Sequence, residues 1–486
     1  MKTLKRIAAF ILAVLLMSAF ASAAFADSTG SITVNGVVKG QTYSIYRIFD
    51  LESYNQNTGA YAYKINNAWT AFAQDTAAKN YFSADSQGYI TWLKDINSAE
   101  DTAAFAKLAK DYAKNHSIAA VDAKTAGDTD TTLVFSSLDL GYYLVDSSLG
   151  ALCALNTTDT AAVVHEKNGE PTIIKETKTE NTDAYGTENH IKIGDTVSFR
   201  TTINAKPGAE NYVMHDTMTE GLTFKAITSV EYISSDTNQT AVLPLSDYTI
   251  ETNPTDKCTF DLTFSKNFLD TIKKDTPIYV YYTAQLNEKA AYGEGLSNDN
   301  TASLSYGDNS RTVSSTTKTY TYMFELIKTN DSGKILTGAK FQLLDKDKNV
   351  ISLVKDTDSE NTYRLATPEE KATAGFVSAE IEAGNCYIAG LNAGTYYISE
   401  ITPPVGYNKL SEPYKFTMSN SDNEATYNMT VTPFTYVDGG VRIINKTGTV
   451  LPQTGGFGTT IFYIAGISLI TVALILMVAK KRTGNK

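Results

Sequence analysis

Cysteine is scarce in this 486-residue chain: Cys153, Cys258 and Cys386 are the whole supply. They are widely spaced, form no C-x-x-C pair and are odd in number, so neither a disulfide framework nor a zinc site is encoded, and they read as buried apolar fillers. There are only 2 Trp and 11 Pro beside 30 Tyr, a balance that favours pleated, half-buried strands over helices. Positive charge is in deficit, with 42 Lys plus Arg against 53 Asp plus Glu giving −11. That acidic balance argues against nucleic acid or an anionic lipid surface as the main partner. The four histidines, His116, His165, His190 and His215, are dispersed without metal-ligand spacing. The stretch from Asp356 begins like a calcium loop, but Asn361 stands where Gly is needed and Thr367 where a bidentate Glu belongs. "DSSLG" from Asp146 does not read D-x-S-x-S, the pattern of a metal-dependent adhesion site. No nucleophile elbow, phosphate loop or paired-carboxylate signature stands out, so no cofactor and no turnover enzyme is expected.

What is present is concentrated at the two ends and in the strands between them. The N-terminus places Lys2, Lys5 and Arg6 before an apolar core and the small-residue site Ala24-Phe25-Ala26, the pattern of a secretory signal peptide over 1–26 cleaved after Ala26. At the other end, an apolar span over about 457–479 is followed by the basic tail 480–486, "KRTGNK" after Lys480. That length crosses a bilayer, and the tail fixes its cytoplasmic side. A permanent anchor needs nothing more, so Leu451-Pro452-Gln453-Thr454-Gly455 just before the span is unexplained by membrane physics.

With 42% hydrophobic residues the chain can bury several cores, and its length suits about two to four domains. Over 27–170 the pattern is mixed. "SITVNGVVKGQTYSIYRIFDL" alternates like paired strands, whereas "SAEDTAAFAKLAKDYAKNH" puts Phe105, Leu108, Ala109 and Tyr112 on one helical face behind a Ser98 cap with Asp101 three residues on. A shorter helix is expected to carry Trp69, Phe72 and Ala73. Residues 171–318 read as short strands separated by Gly, Asn and Asp turns, and 319–446 repeat that grammar, so two sandwiches in series are expected. The remainder, 447–486, carries the membrane-length end.

Leu451, Pro452, Gln453, Thr454 and Gly455 resemble the L-P-x-T-G sorting motif of Gram-positive surface proteins. The resemblance implies that a sortase thiolate attacks the Thr454 carbonyl, cleaves before Gly455 and passes the chain to an amine, so that the membrane anchor is transient. Pro452 favours a kinked, extended segment and Gly455 leaves room beside the scissile bond. "YYISEITPPVGY", Tyr396 to Tyr407, is similar to the E-box of backbone pilins from sortase-assembled pili, with Ile398, Ile401 and Pro403 departing from it and Glu400, Pro404, Gly406 and Tyr407 in place. The whole layout resembles that family: mainly β, tandem immunoglobulin-like sandwiches of the collagen-adhesin A and B types, with a helical insertion in the first domain.

The resemblance further implies intramolecular isopeptide bonds. In the last sandwich Lys328 and Asn445 would join with Glu400 assisting, and in the middle one Lys175 and Asn300 with Asp216, Lys178 and Asp195 being nearby competitors. Burial would depress the lysine pKa to free a neutral amine and raise that of the acid. "VHEKN" around Lys167 keeps Val, Lys and Asn of the pilin motif but has His165-Glu166 for Tyr-Pro, which makes Lys167 the candidate polymerisation amine. The function so implied is a shaft subunit on a Gram-positive wall, with sortase, further copies of itself, accessory pilins, peptidoglycan and host surface ligands as partners. The alternative is a minor pilin or solitary wall-anchored adhesin that binds host matrix.

Overall fold

The computed structural model describes residues 29–483, apart from 56–59, 94–98, 157–160, 167–168, 180–181, 294, 309, 358, 376–377, 419–439 and 449–457. The signal-peptide stretch 1–26, Ser98, Lys167 and the motif Leu451 to Gly455 therefore lie outside the described residues. The chain is mainly β, and by contacts it divides into two compact units, 1–322 with 390–392, and 323–389 with 393–486.

In the first unit, β1 (Thr29–Asn35), β2 (Thr42–Asn55) and β3 (Ala60–Ile65) precede helix α1 (Ala99–Asn115). After the helix come β4 (Thr132–Asp139), β5 (Gly141–Ser147), β6 (Gly150–Asn156) and β7 (Ala161–His165). Two sheets result, ordered β7-β1-β4 and β3-β2-β5-β6. All seven residues of β5 are buried, because its sheet is covered on both faces. One face meets the other sheet through Ile32, Val34, Phe135 and Val145. The opposite face packs Phe49 and Leu144 against Phe105, Ala109 and Tyr112 of α1, which supplies the expected helical stripe. The expected short helix is instead two 3₁₀ turns, Asn67–Trp69 and Phe72–Gln74. The Asn66 side chain caps the first turn by accepting from Ala68 N–H at 3.1 Å, and Asp75 turns extended after the second, so no room remains for a full α-turn ladder. Trp69, Phe72 and Ala73 are nevertheless buried as the pattern requires.

The same unit continues with β8 (Thr172–Lys178), β9 (Thr196–Ala205), β10 (Val213–Met218) and β11 (Leu222–Ile233). Next are β12 (Phe260–Phe264), β13 (Thr276–Leu286), β14 (Asn298–Tyr306) and β15 (Ser315–Tyr320). One sheet runs β8-β9-β13-β11 and the facing one β15-β14-β10-β12, each with further short edge strands. A buried ion cluster ties this sandwich to α1 and β5: Lys110 Nζ lies 2.8 Å from Asp146 and 3.0 Å from Glu210.

In the second unit the strands are β16 (Tyr322–Asn330), β17 (Ala339–Leu344), β18 (Leu353–Lys355) and β19 (Thr362–Leu365). They are followed by β20 (Asn385–Leu391), β21 (Gly394–Thr402), β22 (Tyr414–Met418) and β23 (Gly440–Asn445). The order β18-β19-β20-β16-β23 faces β17-β21-β22. The first and last strands, β16 and β23, are parallel neighbours, with Lys328 opposite Ile443 and Asn330 opposite Asn445. Finally, α2 (Gly458–Thr483) contains the 21-residue stretch Ile461–Lys481, with mean hydropathy 2.6, long and apolar enough to cross a membrane.

Candidate functional site

Strand alternation decides which polar residues enter the two sandwich cores. On β8, Ile173, Lys175 and Thr177 point inward while Thr172 and Ile174 are exposed. On β10, Met214 and Asp216 point inward, and on β14 Asn298 and Asn300 do the same. Lys175 is 1% exposed, Asp216 and Asn300 not at all, so a lysine from one sheet meets an acid and an amide from the other in a core that excludes water. Lys175 Nζ donates to Asp216 Oδ2 and to the Tyr282 hydroxyl, which is also hydrogen-bonded to Asp216. Asn300 Nδ2 donates to the Tyr282 hydroxyl at 3.4 Å. Burial lowers the Lys175 pKa against the pull of Asp216, and raises that of Asp216 against the opposing effect of Lys175. The pair is thereby driven toward sharing one proton with no net charge. Asp216 Oδ1 and Asn300 Oδ1 are both buried without a hydrogen-bond partner, a cost that the native packing must offset.

Tyr282 joins this cluster, and the strand pattern alone points to its burial. Ile278, Val280, Tyr282 and Ala284 share the inward face of β13, whereas Tyr279 and Tyr281 lie on the other. Its ring and that of Phe199 also flank the amine, with Lys175 Nζ 4.7 and 5.1 Å from the two centroids. The competitors sit elsewhere. Lys178 Nζ is at the surface, 2.8 Å from Asp183, and Asp195 is near Lys192 at 3.9 Å.

A second cluster lies in the other unit. Lys328 points inward from β16 between Leu326 and the start of the following turn, Glu400 from β21, and Asn445 from the end of β23. Lys328 is fully buried, Asn445 is 1% and Glu400 3% exposed. Lys328 Nζ lies 2.6 Å from Asn445 Oδ1 and 3.0 Å from the Ile443 carbonyl. Asn445 Nδ2 donates to Glu400 at 2.8 and 3.1 Å and to the Asn408 carbonyl at 3.0 Å, and Leu410 N–H holds the other side of the carboxylate at 2.8 Å. Burial brings the Lys328 pKa down to about 8, against the opposing charge of Glu400. An amine against an amide carbonyl, with a carboxylate on the amide nitrogen, is a geometry for amide exchange: attack at Cγ, with the nitrogen protonated as it leaves.

Comparison with known proteins bears on the second unit and the C-terminus. Residues 323–433 match the family model described as a prealbumin-like fold domain, and residues 443–485 match the LPXTG cell wall anchor motif. Among curated proteins none matches the sequence. Among solved structures, a backbone pilin of serotype M6 Streptococcus pyogenes is similar at 16% identity, with 81% of each chain covered and a TM-score of 0.48. Full-length RrgB pilus protein of Streptococcus pneumoniae is similar at 15% identity over 88% of this chain and 99% of that one, with a TM-score of 0.46. The major pilin SpaD of Corynebacterium diphtheriae aligns at 16% identity over 87% and 98%, with a TM-score of 0.43. The apolar helix that follows the matched motif completes the anchor, so this is a mainly β surface chain held at the cell wall by an LPXTG signal, with a prealbumin-like domain before it.

Proposed function

We propose that the chain is a structural shaft subunit of a covalent surface pilus, joined by sortase through Thr454 to Lys167 of the next copy. Two intramolecular isopeptide bonds, Lys175–Asn300 and Lys328–Asn445, stabilise it. The observation that carries this reading is the fully buried Lys328 amine 2.6 Å from Asn445 Oδ1 with Glu400 on the departing nitrogen. A fold gains little from burying such a trio as separate polar groups, and a covalent bond removes the charge from the interior. In each reaction the lysine nitrogen bonds to the asparagine Cγ, the Cγ–Nδ2 bond breaks, and the amine proton passes by way of the acid to the leaving nitrogen, which departs as ammonia. This happens once per chain, so the chain is a substrate of sortase and a self-modifying structure, not a turnover enzyme.

Intact-mass analysis of the chain from wall extracts is expected to show two ammonia losses, with digestion releasing both cross-linked peptides. Glu400→Ala is expected to remove the Lys328–Asn445 link alone. In cells making the cognate sortase, wild type gives an SDS-resistant ladder and Lys167→Arg gives monomer at the wall, since arginine keeps the charge but has no primary amine. An unshifted mass would remove the self-linking reading. Absence of any ladder in wild type would move the chain to the minor-pilin or solitary-adhesin class, binding host matrix.

A further inference from the structure

On the outer face of the middle sandwich, the strand neighbour of Asp216 turns the other way. His215 of β10 lies directly opposite Asp261 of β12, and its Nδ1 is 2.9 Å from Asp261 Oδ1 and 3.0 Å from Asp256 Oδ2. Cys258 Sγ is 3.2 Å from that same Asp256 Oδ2. One donor atom from each of these four residues falls within 4.8 Å of every other. We infer that His215, Asp256, Cys258 and Asp261 bind one divalent transition-metal ion of the zinc class.

The donor set is one imidazole nitrogen, one thiolate sulfur and two carboxylate oxygens, all accepted by zinc. Zinc–ligand bonds of about 2.0–2.3 Å set tetrahedral donors roughly 3.3–3.8 Å apart, so the four side chains need only small rotations to close on an ion. The other face of the imidazole is already oriented. In the metal-free chain the two carboxylates accept from Nδ1–H, and an ion would take the place of that proton; His215 Nε2, 2.8 Å from Ser305 Oγ, can then carry the ring proton and donate it to the hydroxyl, the second hydrogen bond that fixes a metal-binding histidine. Asp256 and Cys258 are placed on one side by the turn between them: Lys257 sits at φ 71, and Asp256 Oδ1 accepts the Cys258 N–H at 3.0 Å. Two carboxylates also converge on a single histidine nitrogen, and among the described residues no lysine or arginine pairs with either. A cation supplies that missing charge. Binding displaces the Cys258 thiol proton to solvent, so uptake of the ion releases protons. The ion would enter past Asp256, whose side chain is 37% exposed while those of His215 and Asp261 are 13% and 14% exposed.

The test titrates the full chain, purified in detergent, with Zn2+ and with Co2+. One ion per chain is expected, with release of protons, and Co2+ should give a near-ultraviolet thiolate charge-transfer band together with the strong visible bands of a tetrahedral site. Cys258→Ser should remove the near-ultraviolet band, His215→Ala should weaken Zn2+ by roughly 100-fold, and Ser305→Ala should weaken it by about tenfold. Should His215→Ala not fold, Asp256→Asn on the exposed rim carries the same expectation, its fold checked by melting without metal. A charge-transfer band that survives Cys258→Ser, Zn2+ affinity unmoved by either ligand variant, or Ca2+ binding in place of Zn2+ overturns the site.

Discussion

In the proposed cross-linking Lys328 would react only as a neutral amine, and burial sets the pH at which that form appears. With its pKa brought from the usual 10.5 down to about 8, the unlinked folded state binds fewer protons at this group than the unfolded chain between those two values. Stability of unlinked chain therefore rises with pH across about 8 to 10.5 and is flat in this respect below that window. The same titration governs bond formation. When chain is refolded and ammonia loss followed by mass, the rate is expected to fall by about tenfold per pH unit below pH 8 and to level off above it. A rate independent of pH between 6 and 8, within roughly two units of that midpoint, would mean that the amine is not the titrating group. Lys175 faces the same desolvation, but its hydrogen bonds to Asp216 and Tyr282 give it a proton acceptor within its own cluster.

At the scale of elements, the joint between β16 and β23 is the critical one, because the proposed cross-link could form only if the last strand docks in register. Gly440 begins β23 opposite Glu325, and a Cβ there would meet the Glu325 carbonyl oxygen at 3.0 Å and Ile327 Cδ1 at 3.1 Å. Gly440→Val is therefore expected to displace the strand and lower the linked fraction at Asn445, leaving the Lys175–Asn300 link intact, as peptide mapping would read. The tie closes a loop spanning a sequence separation of 117, for which the chain-entropy treatment gives about 5 kcal/mol against the unfolded state. Lys175, Asp216, Lys328 and Glu400 were singled out by the resemblance to pilin domains, and strand alternation agrees with their burial, since each shares a face with an apolar neighbour two residues away. Tyr282 shares its face with Val280 and Ala284, but a run of tyrosines signals strand propensity without marking which hydroxyl enters the core. The 3₁₀ turns around Trp69 were hidden because their burial pattern also fits an α-helix, and the capping by Asn66 decided the matter. His215 could not be joined to Asp256, Cys258 and Asp261 from spacing, because strand pairing and not chain proximity brings them together.

For the molecule as a whole, the first unit is unified by a charge cluster as well as by apolar packing. Lys110 from α1 is 7% exposed at its side chain and bridges Asp146 of β5 and Glu210 of the middle sandwich. Lys110→Ala would leave Asp146 nearly buried without its cation, while Glu210 keeps Lys107 at 3.5 Å, and is expected to cost about 3 kcal/mol in chemical denaturation of the unit. If the loss is under about 1 kcal/mol, the cluster behaves as a surface pair and the two parts of the unit are held by other contacts. The parallel pairing of β16 with β23 has a mechanical consequence. In the proposed pilus, tension between a neighbouring subunit and the wall would enter the second unit at the start of β16 and leave it just after Asn445 along the chain. With the Lys328–Asn445 bond formed, the load runs along the few residues from Tyr322 to Lys328, crosses the bond and exits. The segment between the two bonded residues, spanning a sequence separation of 117, carries none of it. Fully drawn out it would lengthen the chain by roughly 400 Å at about 3.3–3.6 Å per residue, so a bonded subunit resists pulling as a near-inextensible strut where an unbonded one would pay out like a spring.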